Sequence, residues 1–136
     1  MIVVAIVGIL AAIAIPNFMT YQAKARQLEA KVNLGAIFTA ATAYFAANNT
    51  YLATTFNALG YARTGASQYY LFWESDSIAG SSSGCTNNSS APTGVTATVT
   101  AFTAGARGNI DGDLTCDDWL VNDLRILINT SNDVTN

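Results

Sequence analysis

The chain opens MIVVAIVGILAAIAIPNFMTY, Met1 to Tyr21, and the reading of this stretch decides the architecture. Its first fifteen residues carry no hydrogen-bonding side chain, and no charge appears before Lys24. Leaving one large aliphatic side chain in water forgoes roughly 1.5–3 kcal/mol. The whole run therefore represents on the order of tens of kcal/mol, against a domain stability of about 5–15 kcal/mol. Such a segment must lie in a bilayer or against copies of itself. As a helix, Met1–Ile15 covers about 22 Å and Met1–Ala23 about 34 Å, so the longer span crosses a hydrocarbon core of about 30 Å. Pro16 removes a backbone hydrogen bond and crowds the carbonyl of Ala12. Gly8 lies one turn further back, so Gly8–Pro16 is where the helix can bend or melt. In lipid that requires neighbouring segments to satisfy the freed carbonyl.

Beyond Pro16 the pattern becomes amphipathic. Phe18, Tyr21, Ala25, Leu28 and Val32 recur at helical spacing. Leu34, Ile37, Phe38, Ala41, Tyr44 and Phe45 form a second, wider stripe, as a helix needs where it meets a sheet. Asn48-Asn49 is a plausible stop. The spacing predicts one helix of about 47 residues, about 70 Å long, far longer than a 14.3 kDa domain needs. Lys24, Arg26, Glu29 and Lys31 follow the apolar run as a solvated collar or as charges that pair between neighbouring copies.

The remainder reads as a small antiparallel sheet. Thr50–Ala66 is a connecting loop with room for a short helix, packed by Tyr51, Phe56 and Tyr61. Gln68–Glu74 is an aromatic-rich first strand. Ser75–Gly94 is an exposed Ser/Gly/Asn-rich loop. Val95–Thr103 alternates as a half-buried strand that Ala106–Ile110 continues. Asp111-Gly112 is a tight turn. Asp117–Val121 and Leu124–Ile128 flank Asn122-Asp123 as a hairpin. A helix from Asp117 to Leu127, with Thr115 as its cap, competes with that hairpin. Asn129–Asn136 is a polar tail.

Composition narrows the function. Hydrophobic residues make up 51% and mean hydropathy is +0.28, much of it from the opening stretch, while charged residues are only 11%. A net charge of −3 argues against a basic nucleic-acid groove. The absence of histidine removes the commonest general base and zinc ligand. No nucleophile elbow, Cys–His pair or phosphate loop is present. The two cysteines, Cys85 and Cys116, pair in an oxidising compartment or remain as two buried thiols. Asn109, Asp111, Asp113 and Asp117 place oxygen donors around a Gly turn, as calcium loops do. Local Asp-to-backbone bonds in a hairpin turn account for the same residues. No cofactor is called for otherwise.

MIVVAIVGILAAIAIPNF, continued by a helix carrying Tyr21, Lys24, Ala25 and Arg26, closely resembles the N-terminal segment of type IV pilins and their pseudopilin relatives, from Met1 to about Ala30. In that family the mature chain opens with an N-methylated Phe followed by Thr, Leu, Ile, Glu and Leu, and Met1–Phe18 corresponds to what comes next. The resemblance implies an α+β fold. A long helix, about 1–47, packs through its C-terminal half on a small antiparallel sheet, with a disulfide-closed C-terminal loop. It implies an apolar helix, 1–23, for membrane and filament core, and a head domain, 24–136. Ile2, Val3, Val4, Ile6, Val7, Gly8, Ile9, Leu10, Ile13, Ile15, Pro16, Phe18 and Tyr21 would then build the filament core. Lys24, Arg26 and Lys31 taken alone would hold the downstream side in the cytoplasm. In the family a removed basic leader holds the other side inward instead.

The expected protein is a non-enzymatic subunit. It sits in the inner membrane and then assembles with its own copies, through dedicated machinery, into an extracellular pilus serving adhesion, motility or DNA uptake. Two alternatives are a pseudopilin of a type II secretion system and, from another class, a monomeric membrane-anchored binding domain.

Overall fold

A computed structural model of the chain describes residues 2–134. Met1, expected as the first helical residue, and Thr135 and Asn136, expected in the polar tail, lie outside the described residues; of Pro16 only the backbone is described.

Helix α1 runs unbroken over Ile2–Asn48, Pro16 included. It stops at the expected asparagines. The Asn48 side-chain amide donates to the Tyr44 carbonyl at 2.9 Å, and Asn49 turns left-handed with φ 55° while its N–H donates to the Phe45 carbonyl at 2.8 Å. Asparagine tolerates that conformation and closes the helix as glycine otherwise would. The face turned to the head is Ala23, Gln27, Ala30, Leu34, Ile37 and Ala41, all buried and spaced alternately four and three residues apart. Leu34, Ile37 and Ala41 belong to the expected wide stripe, with Phe38, Tyr44 and Phe45 packed at its edges. The first expected stripe does something else: Phe18, Tyr21, Leu28 and Val32 are 60–70% exposed. Tyr21, Leu28 and Val32 each come two residues before a buried one (Ala23, Ala30 and Leu34), about 200° round the helix from it. The head takes the side lined by small alanines because its sheet can approach closely there.

After α1, Tyr51 returns against the helix, its ring 4.5 Å from that of Phe45. The expected short helix is α2, Phe56–Leu59, capped by Thr55. The sheet has six antiparallel strands: β1 Tyr70–Trp73, β2 Asp76–Ile78, β3 Thr96–Ala97, β4 Phe102–Gly108, β5 Asp117–Asn122 and β6 Leu127–Ser131. Their order is β2-β1-β4-β5-β6, with β3 also paired to β4. The core lies between this sheet and α1. Phe102 is its hub, with ring centroids 4.9 Å from Tyr51, 5.1 Å from Trp73 and 6.1 Å from Phe38. Beside it, Ala104, Ala106, Trp119 and Val121 are buried with Leu34 and Ile37.

Several sequence expectations are corrected by the fold. The continuous strand Val95–Thr103 is a hairpin. Thr98 donates its N–H to Ala101 at 2.8 Å and its hydroxyl caps the same turn, so the chain reverses between β3 and β4. Alternation of Val and Thr cannot reveal such a turn, because no Gly or Pro marks it. The loop Ser75–Gly94 contains β2, paired to β1 through a two-residue turn in which Glu74 has φ 49°. The hairpin after β5 exists, and the competing helix Asp117–Leu127 does not form. Its second strand starts three residues later than expected, because Asn122 Oδ1 accepts from Leu124 and Ile126 N–H and holds a longer turn. The polar tail is consequently part strand, through Ser131.

Cys85 and Cys116 form a disulfide that ties the loop before β3 to the start of β5. Closing a loop of 31 residues restricts the unfolded chain by about 3–4 kcal/mol. Gly80 marks another tight crossing. A Cβ there would lie 2.5 Å from the Gln68 carbonyl oxygen and 2.6 Å from that of Tyr69, backbone atoms that cannot rotate away. Gly80→Ala is expected to destabilise the head by about 3 kcal/mol, read as a lower urea midpoint at an unchanged m-value.

Candidate functional site

Two features of α1 stand out from the packing just described. The first is its bare front half. Ile2, Val3, Val4, Ile6, Val7, Ile9, Leu10, Ile13, Ile15, Phe18 and Tyr21 are all between 52% and 78% exposed, and nothing lies within 4 Å of where a Cβ on Gly8 would sit. Among the described residues this helix alone is long and apolar enough to cross a membrane, and none of its most apolar window is buried by the rest of the chain. The exposed apolar surface continues along Leu28 and Val32 beside the head and recurs on the head at Leu124, Ile126 and Ile128.

The second feature is how α1 is held. Asp117, at the start of β5, is fully buried, and its carboxylate accepts from four side chains and one backbone N–H. Oδ1 accepts from Gln27 Nε2 at 2.9 Å, Asn129 Nδ2 at 2.9 Å and the Asp133 N–H at 3.3 Å. Oδ2 accepts from the Tyr69 hydroxyl at 2.5 Å and Trp119 Nε1 at 2.6 Å. Helix, β5, β6 and tail thus converge on one side chain. A buried carboxylate is tolerable when its lone pairs are met this completely. Burial, reinforced by the bond to Asp117, pushes the Tyr69 hydroxyl well above the usual phenol range.

The collar charges complete the attachment. Arg26 Nη1 donates to the Ile110 carbonyl at 2.5 Å, Glu29 Oε1 accepts from the Gln68 N–H at 2.9 Å, and Lys31 Nζ lies 4.5 Å from the Trp119 ring centroid. Arg26 and Glu29, neighbours one turn apart, reach for the head and not for each other. The expectation of a solvated collar is corrected accordingly: two of its four charges are hydrogen-bonded to head backbone.

Of the residues considered for calcium, the structure joins Asp111 and Asp113 with Asp133. One carboxylate oxygen from each lies within 4.8 Å of the others. Asn109 spends its side chain inside the loop, accepting from the Gly112 N–H and donating to the Asp113 carbonyl, both at 2.7 Å. Asp117 belongs to the clamp. Asp118, next to it, projects to the opposite face and forms a two-pronged ion pair with Arg107 across the β4–β5 register, at 2.7 and 2.6 Å. That pairing holds the Arg107 guanidinium above its ordinary pKa. Asp133 is fully buried, which pushes its carboxyl up to about 6, with Asp111 and Asp113 adding in the same direction.

Gln27, Tyr69 and Asp133 escape a reading by motif. Gln27 leaves one legible trace, a polar residue set between Ala23 and Ala30 on what proves to be the buried stripe. Asp133 leaves none, since a polar terminus gives no sign of burial.

No known family model matches this chain. The chain is 49% identical over 69 residues to the type IV major pilin protein PilA of Myxococcus xanthus; the matched stretch is 51% of this chain and 31% of that relative. The chain therefore spans about a third of the length of the curated relative it matches. Beside that similarity stand the long apolar helix, the antiparallel head and the Cys85–Cys116 bridge.

Proposed function

We propose that this protein is a structural subunit that polymerises into a type IV pilus filament. Residues 1–23 are its inner-membrane span before assembly, and residues 24–136 are its head. On assembly the lipid around the span is exchanged for the spans of other copies. One observation carries this reading: a helix surface of large aliphatic side chains, more than half exposed, joined without a break to a firmly clamped head. The helix–head attachment matters because a filament transmits load from head to core through that joint. Adhesion, motility or DNA uptake would be properties of the fibre, and the head needs no catalytic chemistry of its own.

The test is recovery of the full-length chain in filaments sheared from the cell surface. Its presence there as the principal protein supports the reading. Recovery only as single copies dispersed in lipid overturns it in favour of a membrane-anchored binding domain. A short structure that never leaves the envelope would favour a secretion pseudopilin. Within the filament, Gly8–Pro16 is the segment that softens to fit the bundle. Pro16→Ala restores the missing donor; it is expected to leave membrane insertion intact and to change filament rise and twist, measured by electron cryo-microscopy. Unchanged helical parameters would remove Pro16 from that role.

A further inference from the structure

The acidic loop between β4 and β5 meets the tail after β6 in a way that its local hydrogen bonds do not explain. Asp111 Oδ1 accepts from the Asp113 N–H at 3.2 Å, and Asp113 Oδ1 accepts from the Thr115 N–H at 2.6 Å. Asp111 uses one oxygen for the turn, while Asp113 Oδ2 also accepts from the Thr115 hydroxyl at 3.4 Å, a long bond that leaves it a lone pair. Asp133 Oδ2 accepts from the Ile110 N–H at 3.0 Å, but its Oδ1 is buried with no hydrogen-bond partner. A buried acceptor left unpaired costs about 1–3 kcal/mol. This one belongs to a carboxylate set beside two more, and like charges so placed disfavour one another. Among the described residues no lysine or arginine is ion-paired with any of the three; the ion pair present is Arg107–Asp118.

We propose that Asp111, Asp113 and Asp133 form a calcium site that clips the C-terminal tail onto the β4–β5 loop. The ligand class follows from the donors. Three carboxylates without nitrogen or sulfur suit a hard divalent cation. Magnesium demands near-ideal octahedral geometry and keeps several of its waters, whereas calcium takes about six to eight oxygens in a flexible arrangement. The three oxygens lie within 4.8 Å of one another, close enough for one ion to draw together, and calcium accepts the irregular, flexible shell that two loop carboxylates and a tail carboxylate offer. Asp111 and Asp113 are exposed, and Asp111 also lines a cleft of about 180 Å³ with Met19, Thr20, Ala23 and Val134, so an ion and its remaining waters have a path in.

The site adjoins the joint between helix and head. The Asp133 N–H bonds Asp117, the Ile110 N–H bonds Asp133, and the Ile110 carbonyl receives Arg26. A bound cation therefore stiffens the attachment of α1 from the tail side. This inference does not depend on polymerisation and can fail or succeed separately from it.

The experiment uses the full chain in detergent micelles, stripped with EDTA and melted by tryptophan fluorescence. With 5 mM calcium chloride, Tm is expected to rise by about 5 °C or more, and one ion per chain is expected by calorimetry. Magnesium at the same concentration should give less than half that shift. Asp133→Asn removes the buried charge and should keep the near-ultraviolet spectrum while losing the calcium shift. The double variant Asp111→Asn/Asp113→Asn, altered only at exposed positions, should lose it too. Absence of a calcium shift in the native chain overturns the proposal, as does a shift retained in both variants. A magnesium shift equal to that of calcium overturns the choice of ion.

Discussion

Asp117→Ala is expected to lower the stability of the head by about 4 kcal/mol, measured by urea unfolding of the full chain in micelles. The physical reason is the number of donors stranded at once. The Gln27 and Asn129 amides, the Tyr69 hydroxyl, the Trp119 indole and the Asp133 N–H all point at this carboxylate. Stranding a buried donor costs about 1–3 kcal/mol, and relaxation recovers part of the sum. Gln27 retains one alternative, since its amide also donates to Asn132 Oδ1 at 3.0 Å. Asp117→Asn keeps the shape but turns one acceptor into a donor facing donors; it should cost about half as much. If the alanine variant unfolded within 1 kcal/mol of the native chain, roughly the size of an ordinary surface change, the clamp would not be what holds the helix.

Ile9→Asp is expected to abolish sheared filaments, to below about a tenth of the native yield, while leaving the melting of the head unchanged. Ile9 is 64% exposed in the single chain, so its replacement disturbs no packing within the subunit. In the membrane an Asp at the centre of a span costs about 2.5–3.5 kcal/mol, which reduces insertion without preventing it. In the proposed filament core the same carboxylate would meet the aliphatic side chains of other copies, with no donor to receive it. That penalty recurs at every subunit, so the polymer suffers far more than the monomer. The measurements are the membrane fraction, the head melting curve and the shear yield. Native yield with an intact head would mean that the apolar helix surface is not buried by assembly.

The element order was legible to the extent that it rested on local signals. A run of aliphatic residues without charge, followed by helical spacing and ended by Asn48-Asn49, is α1. The strand at Tyr70–Trp73 and the hairpin around Asn122 followed from aromatic content and turn chemistry, within a few residues. The β3–β4 reversal at Thr98–Ala101 was not legible, because its turn is made by a threonine hydroxyl and not by glycine or proline. The choice of helix face was not legible either. Phe18, Tyr21, Leu28 and Val32 look more like core than Ala23 and Ala30, yet the sheet packs on the alanines.

The sequence by itself determined that this protein has a segment its own head does not cover, and that an antiparallel head hangs from that segment. Both follow from composition and spacing along the chain, where the hydrophobic effect acts residue by residue. Only the tertiary structure decided which carboxylate does what. Asp117 became a neutral-donor clamp, Asp118 an ion pair on the opposite face, and Asp133 a buried partner of Asp111 and Asp113. Aspartates with one chemistry are told apart by the groups that surround them, and those groups come from residues up to 90 positions away.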